Sequence, residues 1–597
     1  MAATLTGAEA VEWNLDDLYL GPDDPRFAAD LESALAEAKA FRERYRGRVA
    51  ELDAAGLNQA TAESERIHSA VTRAQAYAEL RYAADTSDEA RGALAQRARE
   101  QGTGIETELL FFELEWVEVD DERAERLLDE PVLAHYANVL RAERRYRPHV
   151  LSEPEERMDT EKSVTGNSAW VRLFEELVAD LGVDVDGTKI SLDEALSRLQ
   201  QLGDQGARRT VAEAVTESLA PGLRTRTYIL NTVLNERAIE DRLRDYPRWI
   251  SSRNLSNEIS DEAVDSLVEA LTSRYDIPQR YYRLKAQLLG LDTLYDYDRY
   301  APLEDEPPTV SWDEARDIVL DAFGNFDPRA GEIISGFFDR DWIDAALRPG
   351  KVSGAFCATT VPGVHPYVLM NYAGERRSVL TLAHELGHGL HGVLAQPLGL
   401  LNARTPLTLA ETASVFGEAL TFELLLERED DPKARLSLLT GRIEDALATT
   451  FRQIAINRFE DAAHTARRGE GELSVDRVNE IWADTQRAML GDAVQVSDGY
   501  RTWWSYIPHF IGVPGYVYAY AFGYLFSLAI YERYVEEGDA VVEPIFDLLR
   551  AGGSAPPGEL ARRVGFDVED PGFWKAGLEA VSVLVDEAEA LAGEIAG

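Results

Sequence analysis

The chain has 597 residues, and 106 acidic against 61 basic side chains leave a formal charge of −45; this excludes the basic surface that binding to a phosphate backbone requires. No apolar run reaches the roughly 18–20 residues that span a bilayer, and no basic segment near the start leads into an apolar one. A soluble cytoplasmic protein without nucleic-acid or membrane partners is therefore expected. Helical periodicity then dominates in chain order, with amphipathic patterns from Pro25 to Tyr45, from Thr61 to Ala84 and from Ser87 to Glu118. None of these carries a cluster of metal ligands or nucleophiles. Between Val183 and Ile190 the period shifts to two around Asp186-Gly187, which predicts a small hairpin. A boundary is expected soon after it, dividing an N-terminal helical domain (1–200) from a catalytic domain (201–597). Two further short strands are expected at Gly354–Cys357 and Tyr367–Met370, separated by Pro362-Gly363 and Pro366. The free edge of such a strand can pair with an extended peptide, or the pair can be a purely structural hairpin.

Directly afterwards Val379, Leu382, Ala383, Leu386, Leu390, Val393 and Leu394 form one apolar stripe of helical period. Beside that stripe stands His384-Glu385-Leu386-Gly387-His388. A four-residue spacing puts both imidazoles on one helix face, where they can converge on a single zinc ion at roughly 2.0–2.1 Å. Glu385 then lies next to the ion as a base for the water that zinc activates. Two histidines leave a catalytic site short of one protein ligand. His391 is seven residues from His384, about 10 Å of helix rise, so one ion cannot easily bind both. A longer histidine-rich zinc pattern would need Gly at 391 and His at 394, where the chain has His391 and Leu394.

Glu411 is the leading candidate for the third ligand, with Glu418 behind it. Pro397, Gly399 and Pro406 end the first helix and allow a second to return antiparallel to it. Thr408 and Glu411 also have the spacing of a capping box, in which Glu411 would serve only a helix start. Far downstream, Tyr506, His509, Tyr516, Tyr518, Tyr520 and Tyr524 surround Gly512-Val513-Pro514-Gly515. Imidazole and phenol groups there can donate to the oxyanion formed when water adds to a peptide carbonyl, or can simply pack.

Several segments together resemble the thimet oligopeptidase and oligoendopeptidase F family of zinc metallopeptidases, and more closely its oligoendopeptidase F branch. They are Leu382 to His391, Ala410 to Ser414 with Phe416-Gly417-Glu418, and more softly Trp13 to Tyr19, Tyr295 to Leu303, Ser353 to Cys357, Leu369 to Tyr372 and His509 to Gly523. The resemblance implies one zinc ion held by His384, His388 and Glu411, with Glu385 as general base and later proton donor. It also implies His509, Tyr516 and Tyr520 as donors to substrate or transition state. The tyrosine loop departs from the Gly-rich spacing of the thimet branch, which leaves Tyr518 and Tyr524 as alternatives. The fold implied is mainly α: a helical body of two lobes with a deep channel and a small sheet beside the zinc helix. Short oligopeptides enter such a channel and folded proteins do not. A peptidyl carboxypeptidase on the same scaffold would need a cation for the free carboxylate, and no arginine can be given that duty from the sequence. An inactive peptide-binding protein is the third reading, and intact His384, Glu385, His388 and Glu411 oppose it.

Lysine occurs at only seven positions, so arginine supplies most of the positive charge. Acidity combined with scarce lysine suggests a halophilic setting. At molar salt the Debye length falls to about 3 Å and self-repulsion largely disappears. Cys357, the single cysteine, excludes an internal disulfide and is expected to be a packed thiol near the predicted strand, with redox control as the lesser reading.

Overall fold

Aspartates set the helix starts. The computed structural model describes residues 6–163, 165–303 and 309–596. Pro25–Tyr45 begins behind Asp24, whose carboxylate accepts from the Arg26 N–H, with Pro25 in the first turn where a missing N–H costs nothing. The next helix starts earlier than its apolar pattern suggests, at Ala54, because Asp53 caps it by accepting from the Gly56 N–H; it runs to Ala84. Asp88 caps the third, Glu89–Glu118. Their apolar faces meet at Phe41, Phe111 and Phe112, with ring centroids 5.7 and 5.4 Å from Phe41. Each such ring stabilises the packing by about 1.5–3 kcal/mol.

The expected hairpin is present as β1 (Gly182–Val185) and β2 (Thr188–Ser191), paired antiparallel with Val185 opposite Thr188. Asp186 and Gly187 both adopt positive φ, 53° and 82°, as the two-residue turn demands.

The chain is mainly α and divides into two compact units, each built from three segments. The first comprises Met1–Arg147, Pro307–Arg428 and Ile530–Asp567; the second comprises Pro148–Glu306, Glu429–Ala529 and Val568–Gly597. Among the described residues no helix is long and apolar enough to cross a membrane.

In the first unit β3 (Ile343–Asp344), β4 (Phe356–Ala358) and β5 (Tyr367–Leu369) form a sheet of order β3-β5-β4. The strands expected from the sequence are β4 and β5, which pair antiparallel; β3, parallel to β5, is an addition. β5 is fully buried, whereas β4 is an edge strand of intermediate exposure. The buried Lys351 ammonium holds the turn before β4, donating to the carbonyls of Asp344 (3.1 Å), Ala346 (2.9 Å) and Met370 (2.6 Å) and pairing with the Asp344 carboxylate at 2.7 Å.

Beside β4 lies the histidine helix, Arg376–Ala395. Val379, Leu382, Ala383, Leu386 and Leu390 are buried as the stripe predicts, while Val393 and Leu394 are half-buried. The helix Thr412–Glu427 packs against it at unusually short range, because glycine faces it. A methyl group at Gly387 would stand 2.3 Å from the Ala413 carbonyl oxygen, and one at Gly417 would stand 2.3 Å from the Phe323 ring and 3.2 Å from the Ala383 carbonyl. This close crossing brings Glu411 to the histidines. Gly387→Ala should therefore push the helices apart, lowering stability by about 1–3 kcal/mol and weakening metal binding. Thermal melts with and without zinc test this, and an unchanged pair of melting temperatures would show that the contact has no such role.

Candidate active site

His384 and His388 stand one helical turn apart, with ring centroids at 4.9 Å and planes at 82°. Glu411 occupies the junction between the short helix Leu407–Ala410 and the helix Thr412–Glu427. The short helix starts behind Pro406 without a side-chain cap, and Thr408 lies inside it, so the capping box does not form. Ser414 Oγ donates to Glu411 Oε2 at 2.7 Å and orients the carboxylate. That oxygen lies 3.3 Å from His384 Nε2 and 3.5 Å from His388 Nε2. One ligand atom from each of the three residues falls within 4.8 Å of the others, the one such group among the described residues.

These separations suit a zinc ion. Tetrahedral ligands at roughly 2.0–2.1 Å from a metal stand about 3.3–3.4 Å from one another. The charge balance also fits. Glu418 Oε2 sits 3.2 Å from His384 Nδ1, the ring nitrogen turned away from Glu411, an arrangement that orients a ligating imidazole and raises its basicity. Burial alone would lower His384, but the Glu418 hydrogen bond and the charges of Glu411, Glu418 and Glu385 push it up to about 9. His388 is held down to about 4 by burial, against the pull of Glu411. Three carboxylates around two imidazoles are an excess of negative charge that a dication would neutralise. Glu418, weighed from sequence as a substitute ligand, contacts the outer nitrogen of His384; its signal was the spacing of seven from Glu411, two turns along one helix.

Glu385 is 6% exposed, and burial raises its carboxyl to about 7. Its Oε2 is buried with no hydrogen-bond partner, so the oxygen is left available to a water or a substrate. His391 does not join the cluster. It is buried, its Nε2 lies 3.4 Å from Thr405 Oγ1, and burial holds it down to about 4.

The histidines, Glu385 and Glu411 line a cavity of about 820 Å³ within the first unit. The edge strand and its continuation, Phe356 to Pro362, form another wall. Cys357 lies in that edge strand, and burial, with the Glu385 charge behind it, pushes its thiol well above the usual range.

The downstream residues lie in the second unit. His509 opens the short helix His509–Gly512, and its ring is 6.3 Å from Tyr516 and 6.1 Å from Tyr520, which are 5.0 Å from each other. All three are half-buried. The Gly515 N–H donates to Glu460 Oε1 at 2.8 Å and anchors the loop that carries Tyr516. Burial, then the Arg452 charge, holds His509 below its ordinary value, which leaves a neutral imidazole with one N–H to donate. Tyr518 and Tyr524 differ in being buried. Asn257 Nδ2 donates to the Tyr518 hydroxyl at 2.8 Å, and the Arg442 guanidinium lies 5.5 Å from the Tyr524 ring centre. The structure thus brings together His384, Glu385, His388 and Glu411 in one unit, and His509, Tyr516 and Tyr520 in the other.

Comparison with known proteins places this architecture. The model of peptidase family M3 matches residues 326–580, and that of oligopeptidase F matches residues 115–182. Oligopeptidase PepF of Bacillus subtilis is 27% identical over 591 residues, covering 97% of this chain and 87% of that protein. An oligoendopeptidase F homolog of Lactococcus lactis is 24% identical over 605 residues, covering 98% and 97%. The crystal structure of oligoendopeptidase-F from Enterococcus faecium superposes with a TM-score of 0.72 at 22% identity, covering 95% of this chain and 98% of that one.

Proposed function

We propose that this chain, which belongs to peptidase family M3, is a zinc-dependent endopeptidase that hydrolyses short oligopeptides in the cytoplasm. The reading rests on one observation above the others: two imidazole nitrogens stand 3.3 and 3.5 Å from one carboxylate oxygen, beside a buried carboxylate that contributes no ligand to the group. When bound, zinc lowers the pKa of a water from about 15.7 towards about 7 and polarises a carbonyl oxygen. His384, His388 and Glu411 hold the ion, and Glu418 orients His384.

Glu385 takes the proton from the attacking water on its free Oε2 and returns it to the departing amine nitrogen. Both transfers suit a carboxyl whose affinity for protons burial has raised. The open edge of β4 offers backbone N–H and C=O groups to an extended peptide with little regard to its side chains. A cavity of about 820 Å³ is the size for a few peptide residues. His509, Tyr516 and Tyr520 supply donors to the substrate backbone or to the developing oxyanion.

Halophilic adaptation belongs to the same proposal. Among the described residues, exposed ion pairs are made by arginine, as where Arg99 meets Glu79 at 2.6 Å and Arg209 meets Glu213 at 2.8 Å. Lys285 and Lys351, by contrast, form their ion pairs buried.

Hydrolysis of an internally quenched peptide blocked at both ends, assayed from dilute buffer to molar KCl, tests the proposal. Cleavage inside the blocked peptide, abolished by a chelator and restored by zinc, is the expected result, with activity and melting temperature both rising with salt. Cleavage only of peptides with a free C-terminus would replace the endopeptidase reading by a carboxypeptidase, and falling stability with salt would remove the halophilic one.

A further inference from the structure

The cavity that contains the zinc-binding group has a single guanidinium in its wall. Among the described residues lining it, Arg404 alone carries a guanidinium or an ammonium, facing the carboxylates of Glu106, Glu385 and Glu411 across the same space. Arg404 lies in the loop between the short helices Gly399–Ala403 and Leu407–Ala410, seven residues before Glu411. It is exposed, and among the described residues its side chain forms neither an ion pair nor a hydrogen bond.

The backbone of that loop, by contrast, is held on both sides by residues of the first unit. Asn402 is fully buried; its Nδ2 donates to the His135 carbonyl at 2.8 Å, and its own carbonyl accepts from the Gly553 N–H at 2.7 Å. Gly553 comes so close that a methyl group there would stand 2.3 Å from the Arg404 carbonyl oxygen. On the far side Thr405 Oγ1 lies 3.4 Å from His391 Nε2, which ties the loop to the zinc helix and gives a place to the imidazole that the metal group leaves out. Glu65, the acid that meets this segment, is committed elsewhere. One of its oxygens accepts from the Leu401 N–H at 3.0 Å and the other from the Tyr136 hydroxyl at 2.7 Å.

In a chain with 106 acidic against 61 basic side chains, partners for an arginine are in excess, yet Arg404 is kept clear of them at the wall of a cavity. Its fixed backbone means that only the side chain must be ordered when something binds. A carboxylate is the natural fit, since its two oxygens match the planar fork of a guanidinium. A cavity of about 820 Å³ takes only a few peptide residues, so a carboxylate at Arg404 and a bond at the zinc group belong to one short peptide.

We propose that Arg404 is a specificity-determining residue of this cavity that takes a carboxylate of the bound peptide, either its C-terminus or an acidic side chain. The proposal rests on the peptidase reading, because the cavity is a peptide site only if the zinc group is a peptidase centre. Arg404 acts on binding and stays away from the reacting bond, so peptides without the carboxylate are still cleaved, at higher KM.

Peptides that differ only in that carboxylate test it on the full zinc-loaded chain at fixed salt. One pair shares a sequence and ends in a carboxylate or an amide; a second set, all amidated, carries Glu or Gln at one position at a time. For the pair or the position that Arg404 reads, KM should be about tenfold lower for the charged member, as a charge-assisted bidentate contact implies, with kcat little changed. The ratio should fall close to one in Arg404→Gln and be partly kept in Arg404→Lys, with unchanged melting temperatures confirming that both variants fold. Calorimetric binding of uncleaved N-acetyl tripeptides in the same acid, amide, Glu and Gln versions repeats the comparison without hydrolysis. Selective binding of the charged version that Arg404→Gln abolishes would sustain the subsite even if no peptide were cleaved, and the peptidase reading alone would then fail. Zinc also attracts carboxylates, so a preference that survives Arg404→Gln would belong to the metal and overturn the subsite, as would ratios near one throughout in the unsubstituted chain.

Discussion

Glu385→Gln is expected to keep its zinc and to lose about 10²–10⁴-fold in kcat, the range typical of removing a general base. Glutamine has the shape of glutamate but no basic oxygen, so the substitution removes the proton acceptor while leaving His384, His388 and Glu411 in place. The fold should not suffer. Glu385 Oε2 has no hydrogen bond to lose, and the folded carboxyl is raised from 4.5 to about 7 by burial. In the metal-free chain Glu385 therefore binds its proton more tightly folded than unfolded, so its contribution to stability falls as pH rises through that window. The metal-free variant should melt no lower than its parent at neutral pH. Zinc analysis together with turnover of a blocked peptide checks the first claim; a near-normal rate would remove Glu385 from the mechanism.

Loss of a ligand has the opposite signature. In Glu411→Ala the two imidazoles remain, but one corner of the donor triangle is gone and Ser414 Oγ keeps only the Glu411 backbone carbonyl, at 3.1 Å, as acceptor. Zinc affinity should fall by more than the ~10–100-fold that follows loss of an outer partner, and Glu418→Gln supplies that milder comparison on the same helix. Hundredfold weaker binding removes about 2.7 kcal/mol of zinc-linked stability, so the zinc-induced rise in melting temperature should shrink visibly. Full zinc content in dialysed Glu411→Ala would place the third ligand elsewhere.

Local features were legible in the sequence, and partnerships were not. Asp24 followed by Pro25 marks a helix start by its own chemistry, and Asp186-Gly187 names its own turn. The His384 and His388 spacing fixes a shared helix face regardless of what surrounds it. β3 escaped notice because two residues, Ile343 and Asp344, become a strand only through β5, more than twenty positions away. Tyr516, Tyr518, Tyr520 and Tyr524 look alike in sequence. Only packing separates the half-buried pair beside His509 from the two in the core.

The threefold segmentation of each unit bears on how the molecule is made. The unit holding the histidines is closed by Ile530–Asp567, and the other by Val568–Gly597. A ribosome emitting the chain at about 5–20 residues per second delivers both closing segments only after His384 and Glu411 have been made. Neither hydrophobic core can be completed before its closing segment is made, and the contacts that finish them link residues hundreds of positions apart, which slows folding. The nascent chain must therefore wait, with apolar helix faces open, until those segments emerge; a polypeptide that stops short of Ile530 would expose both cores at once and be a substrate for chaperones and proteases.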